Sequence, residues 1–125
     1  MTDTTHLTQK DGKAYAGTHL IIDLQNARHL NDRAHIEQAL RAVTEATGAT
    51  LLHIHTHHFS PQGVTGIAVL AESHIACHTW PEIGYAAFDI FMCGETTPHA
   101  AIPILRSAFD TDDITVRELH RGQTP

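Results

Sequence analysis

The segment from Ala49 to Met92 constrains the fold more than any other part of the chain. It reads as four strands in succession, with breaks too short to hold a helix. In Ala49–Phe59, Leu52, Ile54 and Thr56 alternate with His53, His55 and His57, the period of two expected of a strand with one face toward a core. Ser60-Pro61-Gln62-Gly63 is a turn signal, and Val64–Ala71 is the next strand. Ser73–Trp80 follows, then the turn Pro81-Glu82-Ile83-Gly84, then the strand Tyr85–Met92. Parallel neighbours need a crossover of about a dozen residues or more, so strands joined this tightly pair antiparallel.

The flanks supply the second layer. Met1–Lys13 reads as a tail, and Gly17–Leu24 as a first strand. Asn31 or Asp32 is placed to cap a helix, in which Ile36, Ala39, Leu40 and Val43 recur at helical spacing. Gly48 ends it in a left-handed C-cap. Thr97-Pro98 starts a second helix with Ile102, Leu105 and Phe109 on its apolar face. Pro103 should kink that helix by removing a backbone donor. Ile114–Leu119 is the last strand. The order β-α-β-β-β-β-α-β predicts an α+β fold, a two-layer α/β sandwich. It has a mainly antiparallel sheet with two helices on one face. Residues 1–125 form one domain, without internal repeat or linker.

Composition removes several functions. A chain of 125 residues with net charge −6 and no basic stripe has no footprint for nucleic acid. No apolar run approaches the roughly 18 residues of a membrane span, and no apolar leader precedes the first strand, so a cytoplasmic protein is expected. Cys77 and Cys93 make no disulfide framework.

Histidine is over-used, at 12 residues, four of them clustered as His53, His55, His57 and His58. A row of imidazoles on one strand face suits Zn²⁺ or Cu²⁺. The plainer reading is a solvated or pocket-lining face. No Cys-x-x-Cys or His-Glu-x-x-His accompanies the row, so no metal centre is assigned.

Chemically able side chains crowd instead into Glu72-Ser73-His74-Ile75-Ala76-Cys77-His78-Thr79-Trp80-Pro81-Glu82. No Gly-x-Ser-x-Gly elbow surrounds Ser73, which argues against an esterase. Another use of the hydroxyl is attack on the carbonyl carbon of its own preceding residue. The amide becomes an ester, β-elimination breaks the chain, and hydrolysis leaves a pyruvoyl group, an electron sink made from the chain itself. His78 or His74 is the candidate base.

Glu72-Ser73-His74-Ile75 followed by His78-Thr79-Trp80-Pro81-Glu82 resembles the processing motif of bacterial S-adenosylmethionine decarboxylase, a pyruvoyl enzyme of polyamine synthesis. The resemblance extends to Phe59-Ser60-Pro61-Gln62-Gly63-Val64-Thr65-Gly66, to Gly84-Tyr85-Ala86-Ala87, and to Cys93-Gly94; it spans roughly residues 17 to 119. It implies self-cleavage between Glu72 and Ser73, with Ser73 becoming the pyruvoyl group. It further implies that His78 removes the α-proton during processing and that Thr65 assists the ester intermediate. Cys93 would return a proton to the product carbon. Phe59 and Trp80 would lie around the adenine and its sugar, and Glu82 would bind the ribose hydroxyls. The implied reaction makes decarboxylated S-adenosylmethionine, the aminopropyl donor for spermidine, in a homodimer of processed protomers. The residue types suit these roles. A thiol with an ordinary pKa near 8.5 keeps its proton at pH 7, and aromatic faces attract a sulfonium by about 0.5–2 kcal/mol. Cys77 reads as packing, and the carboxylate of Glu72 as positional.

Two stretches depart from the family pattern. Leu24-Gln25-Asn26-Ala27 lacks its aromatic-glycine-cysteine character, and the histidine-rich strand is unusual. Two alternatives therefore stay open: a pyruvoyl decarboxylase of ornithine or arginine, and a non-catalytic histidine-rich metal-binding module on the same scaffold.

Overall fold

The computed structural model describes residues 7–10 and 13–123. Six strands form one sheet: β3 (Gly17–Leu24), β4 (Leu51–His58), β5 (Val64–Leu70), β6 (Ser73–Trp80), β7 (Tyr85–Met92) and β8 (Ile114–Arg121). Their spatial order is β4-β5-β6-β7-β3-β8, and every neighbouring pair is antiparallel. Helices α1 (Arg33–Thr47) and α2 (Ala101–Ala108) share one core with the sheet, the α+β sandwich expected. Thr8–Lys10 (β1), within the stretch read as a tail, pairs antiparallel with Lys13–Tyr15 (β2), which runs on past it; residues 1–6, 11 and 12 of that stretch lie outside the described residues. Buried Tyr15 anchors this strand pair by stacking on His120, ring centroids 4.4 Å apart.

Alternation sorts the sheet residues into two faces. Leu20, Ile22, Ile75, Phe88 and Ile90 point to the helices and are fully buried with Ile36, Leu40, Leu105 and Phe109. The opposite face has no layer over it. It leaves Ile67 at 45%, Val69 at 41%, Trp80 at 40% and Leu119 at 46% exposure.

Asp32 caps α1, accepting the His35 amide at 3.1 Å, and Gly48 closes it at φ 79°. Asn31, the other candidate cap, instead uses its Oδ1 to accept the Gly63 amide and to bond His58, both at 2.9 Å. Gly66 lets β5 pack closely, since a Cβ there would stand 3.0 Å from Leu40 Cδ1 and 3.1 Å from Cys77 Sγ, tight contacts that those side chains would have to yield to.

Two local expectations are corrected. A single 3₁₀ turn, Pro98–Ala100, precedes α2, so Pro103 falls in the first turn of the helix. Amides there have no intrahelical acceptor in any case, so the proline removes no helix bond and gives no reason for a kink. On β4, Leu51 pairs with Leu70 and His53 with Val69, leaving Leu52 as an extra bulged residue. Leu52 is therefore 64% exposed rather than directed to the core.

Candidate active site

Strand β6 carries three of the expected site residues, Ser73, His78 and Trp80, and it carries them at two separate ends. Ser73 is its first residue. Glu72, just before it, sits at φ 59°, a left-handed conformation uncommon for a side chain other than glycine. Cys93 follows directly on β7 and closes over this junction. Its amide donates to Ser73 Oγ at 3.3 Å, and its thiol lies 3.8 Å from the same oxygen. The thiol also donates to the Glu72 carbonyl oxygen at 2.9 Å and lies 3.9 Å from Glu72 Oε2. The bond expected to break is thus held in strained backbone, with a donor on its carbonyl and a hydroxyl beside it.

The other end of β6 forms a cavity of about 260 Å³ lined by Phe59, Thr65, His78, Trp80 and Glu82. Register explains the grouping. Thr65 on β5 lies directly opposite His78 on β6, both on the open face, with Thr65 Oγ1 and His78 Nδ1 3.0 Å apart. Trp80 stacks on Tyr85 with ring centroids 5.2 Å apart. Tyr85 in turn donates to Asp23 Oδ1 at 2.6 Å. That bond, then burial, then the charge of Asp23 push the tyrosine pKa up to about 12, so the phenol keeps the proton it donates. The 3₁₀ turn Pro81–Ile83, closed by Gly84 at φ 65°, carries Glu82 past the strand end to the cavity rim. Beneath it, buried Thr79 donates to the Leu30 carbonyl at 2.7 Å and accepts the Val64 amide at 2.9 Å, tying the floor to the loop before α1.

The structure therefore brings together Ser73, Glu72 and Cys93, and separately Phe59, Thr65, His78, Trp80 and Glu82. It does not bring the two groups to each other. Five positions along β6 separate Ser73 from His78, about 16 Å at the rise of a strand. His74, the other candidate base, projects from the open face, where its ring lies 5.9 Å from that of Phe91. Cys77 is buried beneath the sheet; burial pushes its pKa up to about 12, against a smaller opposing effect of a backbone hydrogen bond from Gly66. The Tyr85–Asp23 support and the Thr79 tether went unassigned in the sequence. The only signal for Thr79 was its place between His78 and Trp80.

Two other hollows hold none of the expected site residues. One of about 540 Å³ lies between residues 27–32 and Pro81; the other, about 420 Å³, lies on the open face at Ile21, Asp23, Thr115 and Arg117. Among the described residues, no three His, Cys, Asp or Glu side chains are grouped to hold a metal ion, and no helix is long and apolar enough to cross a membrane.

Comparison with known proteins supplies the family. The family model described as S-adenosylmethionine decarboxylase matches residues 18–122. An S-adenosylmethionine decarboxylase proenzyme of Methanococcus aeolicus is 50% identical over 111 residues, covering 86% of this chain and 95% of that one. A proenzyme of the same name from Thermomicrobium roseum is 44% identical over 108 residues, covering 85% of this chain and 93% of that one. Among solved structures, the adenosylmethionine decarboxylase of Aquifex aeolicus superposes with a TM-score of 0.78 at 28% identity, covering 87% of this chain and 92% of that one. These matches run through both ends of β6 and leave neither ornithine or arginine decarboxylation nor a non-catalytic metal module as the favoured reading. The chain belongs to the S-adenosylmethionine decarboxylase family.

Proposed function

We propose that the chain is a self-processing proenzyme that cleaves itself between Glu72 and Ser73 and then decarboxylates S-adenosylmethionine for polyamine synthesis. The observation that carries the proposal is the Glu72–Ser73–Cys93 junction, a left-handed Glu72 whose carbonyl oxygen accepts the Cys93 thiol. Ser73 Oγ attacks the Glu72 carbonyl carbon, and the amide becomes an ester with the amine of residue 73 freed. The Cys93 S–H stands where negative charge builds on the carbonyl oxygen. Removal of the Ser73 α-proton then expels the Glu72 carboxylate. Water replaces the nitrogen of the remaining dehydroalanine, releasing ammonia and leaving a pyruvoyl group. That group supplies a conjugated carbonyl into which the electrons of the carbon–carboxylate bond can flow. Cys93, beside residue 73 before cleavage, is placed to return a proton to the product carbon. Phe59 and Trp80 offer ring faces to a nucleoside and a sulfonium, and Glu82 at the rim offers an acceptor to two ribose hydroxyls.

His78 needs its Nε2 lone pair to take the α-proton. With Nδ1–H donating to Thr65 Oγ1, that lone pair is free and the threonine hydroxyl keeps its own proton to donate. Within one chain this pair is about 16 Å from Ser73. A second copy removes the gap. A twofold axis running across the strands at Ile75–Ala76, with the two open faces packed together, sets the strand end that begins at Ser73 in one copy over His78 of the other, twice over. The same packing covers Ile67, Val69 and Trp80, and it adds a wall to a 260 Å³ cavity that is small for a nucleoside ligand. The working unit is therefore a homodimer with two shared sites. Its two free cysteines suit the reducing cytoplasm.

The direct test is the intact mass of purified chain under denaturing conditions. Two fragments that meet at residue 73, the smaller lacking a free amino terminus, support the proposal. A single full-length species that stays uncleaved on incubation contradicts it.

A further inference from the structure

The histidine row has no part in the chemistry above, and the structure separates it into one and three. His58 is tied to Asn31 Oδ1. His53, His55 and His57 lie opposite Val69, Ile67 and Thr65 and share the open face, at the edge of the sheet. All three are exposed. Among the described residues, His53 and His55 have no hydrogen-bond or ion-pair partner, and His57 meets only the ring of Phe59, at 4.5 Å. Their β5 neighbours bring no charge: Thr65, Ile67 and Val69. Three exposed imidazoles without hydrogen-bond or ion-pair partners, beside uncharged neighbours on β5, are a good set of donors.

The register ties this row to the twofold axis. Ala76 pairs with Ile67, and Ile67 pairs with His55. An axis that crosses β6 at Ile75–Ala76 therefore passes β5 at Ile67–Ala68 and β4 at Ile54–His55. Rotation about it lays β4 of one copy over β4 of the other with reversed direction. His55 then lies over Ile54 of the second copy and His53 over Thr56, so that His53 and His55 of each copy stand on either side of the axis.

We propose that these rows form a divalent transition-metal site that clamps the two copies together, an inference that rests on the shared-site dimer above. Sheets packed face to face stand about 10 Å apart. Two imidazoles reaching inward from opposite sheets, each about 2 Å from a common ion, bridge such a gap. Neutral nitrogen donors without carboxylates select a borderline cation such as Zn²⁺ and give no purchase to Mg²⁺. One ion sits on the axis, held by His55 and one flanking histidine from each copy. A single chain supplies only half of this set, in keeping with the lack of a grouped three-ligand set among the described residues of one copy.

The test titrates Zn²⁺ into the chelator-stripped full chain by calorimetry, with sedimentation run in parallel. Expected is one Zn²⁺ per two chains and a dimer dissociation constant lowered about tenfold or more by Zn²⁺, with no effect of Mg²⁺. His55→Ala should abolish both effects while leaving self-cleavage intact. One or more Zn²⁺ per chain with unchanged assembly would mean simple surface chelation and overturns the proposal, as does absence of binding at micromolar Zn²⁺. A metal-free dimer that cleaves normally but ignores Zn²⁺ sinks the metal site alone. A chain that cleaves as a monomer sinks the shared-site dimer with it.

Discussion

At its first residue β6 presents Ser73, half-buried and bonded to Cys93; near its last it presents His78 and Trp80, exposed on the open face. The first end is built on backbone. Its features are a positive φ at Glu72, an amide on a serine oxygen and a thiol on a carbonyl. The second end is built on side chains and register. Thr65 meets His78 across a strand pair, Trp80 rests on Tyr85, and Glu82 rides a 3₁₀ turn to the rim. In the proposed reaction one end holds the bond to be broken and the other holds the base and the binding surface. A single straight strand keeps them apart, so neither end is a site by itself.

Substitutions at the two ends should fail differently. The largest effect is expected from His78→Ala, which leaves the Glu72–Ser73 junction intact but removes the proton acceptor. Self-cleavage should slow about a hundredfold or more, and the stalled ester should be cleavable by hydroxylamine on a denaturing gel. Cleavage at the normal rate would remove His78 from processing. Next is Cys93→Ala. Chains that do cleave should turn over about tenfold or more slowly, since the proton donor to the product carbon is gone. A normal rate per cleaved chain would refute that role. The smallest effect belongs to Glu82→Gln. Cleavage should be unchanged, and the loss of charge-assisted bonds to the ribose, about 1.5–3 kcal/mol, should appear as a KM raised about tenfold or more. A change in kcat alone would place Glu82 elsewhere.

Much of this was legible in the chain. Turn residues punctuate the strands so clearly that Ser73–Trp80 and Tyr85–Met92 are found at the bounds read from sequence. Asp32 and Gly48 bracket α1 as cap chemistry requires. Local patterns failed where a neighbour decided the outcome. The Leu52 bulge depends on pairing with β5, and the harmless placement of Pro103 depends on a 3₁₀ turn ahead of it. The site residues came from motif resemblance, which names side chains without their distances. The five-position spacing of Ser73 and His78 on one strand already implied separation. The left-handed Glu72 had no signal at all, because nothing in a glutamate predicts positive φ.

Complementation tests the central claim most directly. Ser73→Ala chains keep His78 but cannot cleave; His78→Ala chains keep Ser73 but lack the base. If the two ends of β6 meet across a twofold axis, a mixed dimer contains one complete site, formed by Ser73 of one chain and His78 of the other. Mixing the two variants after co-refolding should restore cleavage of the His78→Ala chain only, along with measurable decarboxylation. If the mixture stays as inert as either variant alone while sedimenting as a mixed dimer, the two ends do not serve each other and the account is wrong.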